Sequence, residues 1–129
     1  MARLVLLMLA LAALQSSTAP RKGGNPDAAK VGNPVAATPE SIVAGKRAYQ
    51  RLCMRCHGPG GKGDGTATTS HEPSDLTGTK WDYGMSDGEI FGVIHDGVSV
   101  DMEPYSSRIG DEEIWNLVNY VRTLRSGKD

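Results

Sequence analysis

Both cysteines of the 129-residue chain lie in one five-residue motif, Cys53-Met54-Arg55-Cys56-His57. Two thiols separated by two residues on a helical turn match the fixed distance between the two vinyl groups of a porphyrin. A histidine directly after the second cysteine then lies beneath the ring, where its imidazole can bind iron. The motif therefore predicts covalent attachment of one c-type haem through Cys53 and Cys56, with His57 as the proximal iron ligand.

Three other kinds of site also use paired cysteines, and the motif alone leaves them open. A disulfide would suit an oxidising compartment. A thiol redox pair normally lies beside a βαβ pattern, which this sequence lacks. A zinc site would require further Cys or His residues at paired spacing, and His71 and His95 do not supply it. Haem attachment explains every residue type in the motif and is favoured over these three alternatives.

The position of the methionines indicates which residue binds the other face of the iron. Met8 lies in the N-terminal apolar run, Met54 lies between the cysteines, and Met85 directly precedes a helix cap. Met102 lies in an extended loop before the last helix, from which a thioether can reach across a haem. We therefore predict Met102 as the distal ligand, with a gap-filling core methionine as the alternative. Iron with His and Met ligands is six-coordinate and suits electron transfer.

The N-terminal residues 1–19 have the composition of a secretion signal. They contain Arg3, an apolar run of eleven residues from Leu4 to Leu14, and a small-x-small site that ends at Ala19. The apolar run is shorter than the roughly 20 residues that a membrane-spanning helix needs. We expect export, so that the domain works in the periplasm or on the extracytoplasmic face of the membrane.

Charge and composition limit the classes of partner. The chain has 14 basic and 15 acidic residues, a formal net charge of −1, whereas nucleic-acid binding needs a clustered basic face. Only one Phe, two Trp and four Tyr are available to fill a core. A domain of this size with so few aromatic side chains buries a marginal core, which a buried porphyrin would supplement.

The segment between the signal and the first helix predicts a flexible linker. Residues 20–38 are rich in Pro, Gly, Asn and Ala and show no apolar periodicity. The folded domain is therefore predicted to cover residues 39–129.

Three segments have helical apolar spacing, and each begins at a candidate N-cap: Thr38, Ser86 and Asp111. The first segment runs into Cys53, and the second ends at Gly97. No segment shows sustained strand alternation. The predicted fold class is all-α with long loops.

Residues 39–126 resemble the class I cytochromes c, especially the bacterial single-haem domains. The resemblance covers the haem motif, the run Cys-His-Gly-Pro-Gly-Gly-Lys-Gly-Asp-Gly and the order of the helices. It also covers a glycine and an aromatic residue on the first helix, with their crossing partners on the last: Gly45, Tyr49, Leu117 and Tyr120.

The resemblance implies a cytochrome c fold of three to five helices wrapped on one haem, with His57 below the ring and Met102 above it. It also implies a proline whose carbonyl orients the proximal imidazole, for which Pro73 is the candidate. The chain departs from the family at Glu103, because such domains often have Pro directly after the axial methionine.

The function implied is one-electron transport between extracytoplasmic redox partners by Fe(II)/Fe(III) cycling, not an enzymatic activity. Contacts with a donor and an acceptor protein would be small and transient. The alternative is a haem-based ligand-binding or sensing protein with a labile sixth site. Met102 distinguishes the two, because only a carrier needs it as a stable ligand.

Overall fold

The computed structural model describes residues 18–125, which form a helical unit without β-strands. A short 3-10 helix, Ala28–Lys30, precedes four α-helices: α1 (Pro39–Leu52), α2 (Met54–His57), α3 (Asp87–Asp96) and α4 (Asp111–Leu124). This architecture confirms the predicted all-α fold with long loops.

The signal predicted over residues 1–19 lies almost entirely outside the described residues. Across residues 18–125, no helix is both long enough and apolar enough to cross a bilayer.

Two of the three predicted helix caps are confirmed. The Thr38 side chain accepts a hydrogen bond from an amide of the first turn of α1, and Ser86 and Glu89 form a complete capping box on α3. The third prediction is wrong, because α4 begins one residue earlier than expected, with Gly110 as its N-cap. Asp111 is the first helical residue, where its carboxylate interacts favourably with the positive end of the helix dipole.

The core is organised by the crossing of α1 and α4. A methyl group at Gly45 would lie 2.0 Å from the carbonyl oxygen of Asn116, so the two backbones approach each other at a distance that only glycine permits. Next to this point the rings of Tyr49 and Tyr120 pack with centroids 5.2 Å apart, and Leu117 is fully buried. The predicted crossing of the first and last helices is confirmed.

Helix α3 covers one side of this pair. Its apolar face is buried, and Phe91 stacks on Trp115 of α4 with ring centroids 4.1 Å apart. The shared core consists of aliphatic and aromatic residues from α1, α3 and α4. It borders the cavity that is described below.

Residues 20–38, predicted as a flexible linker, instead pack against α3 and α4. Ala28 is fully buried, and a methyl group at Gly88 would lie 2.1 Å from the Ala28 carbonyl oxygen. Farther along, the side-chain amide of Asn33 donates to Asn119 Oδ1 at 2.8 Å and to the Trp115 carbonyl at 3.1 Å. The packed unit therefore begins well before residue 39, because side-chain hydrogen bonds order a segment that has no apolar periodicity.

The carboxylate of Glu89 joins this N-terminal segment to α3. It accepts hydrogen bonds from the backbone amides of Asn25 at 2.8 Å, Met85 at 3.0 Å and Ser86 at 3.0 Å, and from the Ser86 hydroxyl at 2.7 Å. Burial opposes ionisation, but these hydrogen bonds outweigh it and hold the pKa of Glu89 below its ordinary value. The ionised carboxylate is thus the form that stabilises the fold.

The low pKa of Glu89 gives a pH-dependent contribution to stability. This contribution is complete above the unfolded-state pKa of about 4.3 and is lost as the pH falls through the lower folded-state pKa. We expect Glu89→Gln to lower the free energy of unfolding by about 1–3 kcal/mol at neutral pH. This difference in the free energy of unfolding should shrink as the pH falls below about 4, because the wild-type carboxyl then becomes protonated.

Urea denaturation of both proteins at several pH values measures this difference. The exposed Glu112→Gln is the matched control, and it should show no comparable deficit. If Glu89→Gln lowered the free energy of unfolding equally at neutral and acidic pH, the charge of Glu89 would not be what stabilises the segment.

Candidate functional site

A cavity of about 530 Å³ opens beside the cysteine motif, between the helical core and the two long loops. Its size lies within the usual range for small-molecule and cofactor sites, about 300–1,000 Å³. Each residue predicted for the haem site lies on its wall: Cys53, Cys56, His57, Pro73 and Met102.

The end of α1 and the single turn of α2 place the cysteines and the histidine together. The Cys53 amide donates to the Tyr49 carbonyl at 2.8 Å as α1 ends, and the His57 amide donates to the Cys53 carbonyl at 2.9 Å to close α2. The Tyr49 hydroxyl donates to the Gly58 carbonyl at 2.6 Å and fixes the exit of the turn. Cys53, Cys56 and His57 therefore share one helical turn, as the motif predicts.

The Cys53 thiol does not have the environment of a nucleophilic cysteine. Cys53 and Cys56 form no disulfide. Burial, followed by the neighbouring Cys56, raises the pKa of the Cys53 thiol to about 12, whereas a nucleophilic cysteine needs a lowered pKa. Across residues 18–125, no group of three or more His, Cys, Asp or Glu side chains is placed to hold a metal ion such as zinc. The observation that favours haem attachment is the turn that Cys53, Cys56 and His57 share.

The imidazole of His57 is oriented by a backbone carbonyl. Its Nδ1 lies 3.0 Å from the Ser74 carbonyl oxygen, which can only accept a hydrogen bond, so the proton resides on Nδ1. In a neutral imidazole, Nε2 then has the lone pair that a metal requires. The contact has the role predicted for Pro73, but the prediction is wrong by one residue.

The path of the loop explains this displacement. A methyl group at Gly63 would lie 2.4 Å from the Pro73 carbonyl oxygen, so that oxygen faces the glycine-rich loop and not His57. Pro73 contributes to the wall of the cavity, and its neighbour Ser74 contacts the imidazole.

The glycine-rich loop folds back on the motif through backbone hydrogen bonds. The Gly63 amide donates to the His57 carbonyl at 2.8 Å, and the Gly65 amide donates to the Cys56 carbonyl at 3.1 Å. A methyl group at Gly65 would lie 2.2 Å from the Arg55 carbonyl oxygen. The loop therefore satisfies the carbonyls at the end of α2, and glycine is needed for this close approach.

Met102 lies on the wall of the cavity, in a turn of the loop between α3 and α4. Its amide donates to the Ser99 hydroxyl at 3.0 Å, and its carbonyl accepts from the Val98 amide at 2.9 Å. Met85 does not line the cavity, and the side chain of Met54 is more than one-third exposed. Of these methionines, the structure brings Met102 to the wall that His57 also lines.

The two other histidines differ in their surroundings. His71 lines the cavity, but its side chain is 77% exposed and lies against Asp101. His95 lies away from the cavity, stacks on Phe91 and contacts Asp96 at 2.6 Å. Neither matches the placement of Met102.

A buried indole nitrogen on the cavity wall indicates how well the site suits a haem. Trp81 Nε1 is the one buried side-chain nitrogen or oxygen within residues 18–125 that has no hydrogen-bond partner. An unpaired buried donor is costly, and Lys22 lines the same cavity. A porphyrin with two propionate carboxylates would supply an acceptor for the indole and a counter-charge for the ammonium group. Lys22 was missed from the sequence because it lies in the predicted linker.

Comparison with known proteins shows the family of the chain. The family model described as "Cytochrome C oxidase, cbb3-type, subunit III" matches residues 40–121. The chain belongs to this family of c-type cytochrome domains. Membership confirms the predicted resemblance and the predicted function class, an electron-carrying c-type cytochrome.

Two curated relatives are oxidase subunits. The chain is 29% identical over 84 residues to the Cbb3-type cytochrome c oxidase subunit FixP of Bradyrhizobium diazoefficiens. It is 30% identical over 84 residues to the Cbb3-type cytochrome c oxidase subunit CcoP of Azospirillum brasilense. In both cases the match covers 65% of this chain but only 28% of the relative.

Solved structures show the same fold. A chain of the reducing HAO-like protein complex of Kuenenia stuttgartiensis superposes with a TM-score of 0.67 and 28% identity, over 76% of this chain and 49% of that one. Cytochrome CL of Methylophaga aminisulfidivorans superposes with a TM-score of 0.59 and 24% identity, over 67% of this chain and 57% of that one. The latter likeness shows the cytochrome c fold alone.

The unpaired indole of Trp81 can be tested in the haem-loaded protein. If Nε1 donates to a carboxylate of the bound haem, Trp81→Phe removes a buried hydrogen bond. The free energy of unfolding should then fall by about 1–2 kcal/mol, as measured by urea denaturation. An unchanged or higher stability would show that the indole nitrogen also has no partner in the loaded protein.

Proposed function

We propose that this chain binds one haem c, attached by thioether bonds at Cys53 and Cys56, and transfers single electrons between extracytoplasmic redox partners. The observation that carries the proposal is that His57 and Met102 line the same cavity as the two thiols. An iron held by both the His57 imidazole and the Met102 thioether would have no open position for a substrate, which suits an electron carrier and not an enzyme.

Each residue of the site has a distinct task. The Cys53 and Cys56 thiols would hold a haem beside α2 through thioether bonds. The Ser74 carbonyl holds the proton of His57 on Nδ1, so that Nε2 would be available to the iron. The Met102 thioether would supply a second ligand to the iron. The bound haem supplies a one-electron Fe(II)/Fe(III) couple.

Much of the cavity wall is apolar. Apolar side chains from the helices line it, among them Leu52, Ile90, Ile94 and Val121. A low-polarity surrounding disfavours the extra charge of the ferric state and helps to set the redox potential. At the same time, the porphyrin adds the apolar bulk that the sparse aromatic core lacks.

The location and partners follow from the predicted signal over residues 1–19. An exported domain would meet its donor and acceptor outside the cytoplasm, through contacts that bury little area and dissociate quickly. Contact with the membrane would occur through those partners or through an uncleaved signal. Similarity to oxidase subunits supports a redox protein as one of the partners.

Absorption spectra of the oxidised and reduced protein test the role of Met102. The wild type should be six-coordinate and low-spin in both states, with a methionine-to-iron charge-transfer band in the ferric form. Met102→Ala should abolish that band and let the ferrous form bind CO readily, because one iron position becomes open. Met85→Ala is the matched control and should keep the wild-type spectra.

A five-coordinate spectrum would favour the ligand-binding or sensing function. A wild-type ferrous protein that is five-coordinate, high-spin and readily bound by CO would contradict the carrier and support a ligand-binding or sensing protein.

A further inference from the structure

One oxygen atom of Asp101 connects the two loops that border the cavity. Asp101 Oδ2 accepts hydrogen bonds from the Ser70 amide at 3.0 Å and the His71 amide at 3.2 Å, and it lies 3.4 Å from His71 Nδ1. The partners are about 30 residues apart in sequence. The side chain of Asp101 is 22% exposed, whereas that of His71 is 77% exposed.

The connected segments carry the residues proposed for the two sides of the iron. Asp101 directly precedes Met102. The segment that it contacts continues to Ser74, whose carbonyl holds the His57 imidazole. Asp101 and His71 themselves lie on the cavity wall. The carboxylate therefore joins the segment of the distal ligand to the segment that orients the proximal one.

Other hydrogen bonds of the Met102 turn are local or lie at its far end. The hydrogen bonds of Met102 with Ser99 and Val98 close the turn on the residues that follow α3. Beyond the turn, the Tyr105 amide donates to the Ile94 carbonyl of α3 at 3.0 Å, and the Tyr105 hydroxyl donates to the Leu52 carbonyl of α1 at 3.0 Å. Asp101 supplies the attachment on the opposite side.

We infer that Asp101 is a positioning residue that latches the Met102 turn to residues 70–71 and so limits how often Met102 leaves the iron. This inference rests on the proposed role of Met102 as the distal ligand. A carboxylate that accepts two backbone hydrogen bonds makes charge-assisted contacts, which are stronger than neutral ones. Their loss raises the population of an open loop, and any external ligand must bind through that open state.

Imidazole binding to the haem-loaded ferric protein measures this opening. At saturating imidazole, the rate of methionine displacement is limited by the opening of the loop. We expect Asp101→Ala to raise this limiting rate about tenfold, since it removes both hydrogen bonds to the carboxylate. The resting spectrum should keep the methionine-to-iron band, because the turn itself is intact.

Two variants separate the latch from other effects. Asp101→Asn keeps an oxygen that can accept from the same amides, so its limiting rate should stay within about threefold of wild type. Asp27→Ala makes the same change in charge at an exposed position on the N-terminal segment and should behave as wild type. If the limiting rate depended on net charge alone, Asp101→Asn would be as fast as Asp101→Ala.

The outcomes distinguish the latch from the proposed function. An Asp101→Ala protein with a lower urea midpoint but an unchanged limiting rate would overturn the latch and leave the Met102 ligand in place. A failure of Asp101→Asn to restore the slow rate would also overturn it. A wild-type protein without the methionine-to-iron band would overturn the proposed function, and the latch with it.

Discussion

The close contact of α1 and α4 at Gly45 is the constraint on which the rest of the structure depends. Because the backbone of α1 lies against the Asn116 carbonyl, the direction of α1 is fixed by α4. That direction determines where α1 ends and hence where Cys53 begins the motif turn. Tyr49 reinforces both features, since its ring packs on Tyr120 and its hydroxyl holds the Gly58 carbonyl beyond the motif.

The helices thus place one side of the site, and the loops place the other. Backbone groups make most of the decisive loop contacts: the Ser74 carbonyl orients His57, and the amides of residues 70–71 hold Asp101. Contacts of this kind depend on the path of the chain and hardly on the side chains of the partner residues.

Most features set by short-range sequence agree with the prediction, the N-cap at Asp111 being the exception, whereas features set by the loop path differ from it. The caps at Thr38 and Ser86 and the turn of the haem motif follow from neighbouring residues, and the structure has all three. The carbonyl partner of His57 was placed at Pro73 instead of Ser74, because a one-residue shift inside a long loop leaves no mark on the sequence. The sequence predicts a linker in the N-terminal segment because the order of this segment comes from single hydrogen bonds, such as that of Asn33 to Asn119, and not from an apolar pattern.

Covalent attachment of haem through both cysteines underlies every other role of the site, and acid-acetone extraction followed by mass spectrometry measures it. We expect the haem to stay with the protein after extraction and the mass to exceed that of the polypeptide by one haem. A variant with both Cys53→Ala and Cys56→Ala should lose all haem to the solvent. Haem that is extracted from the wild-type protein, or a polypeptide mass without added haem after maturation in a cytochrome c-producing host, would contradict the account.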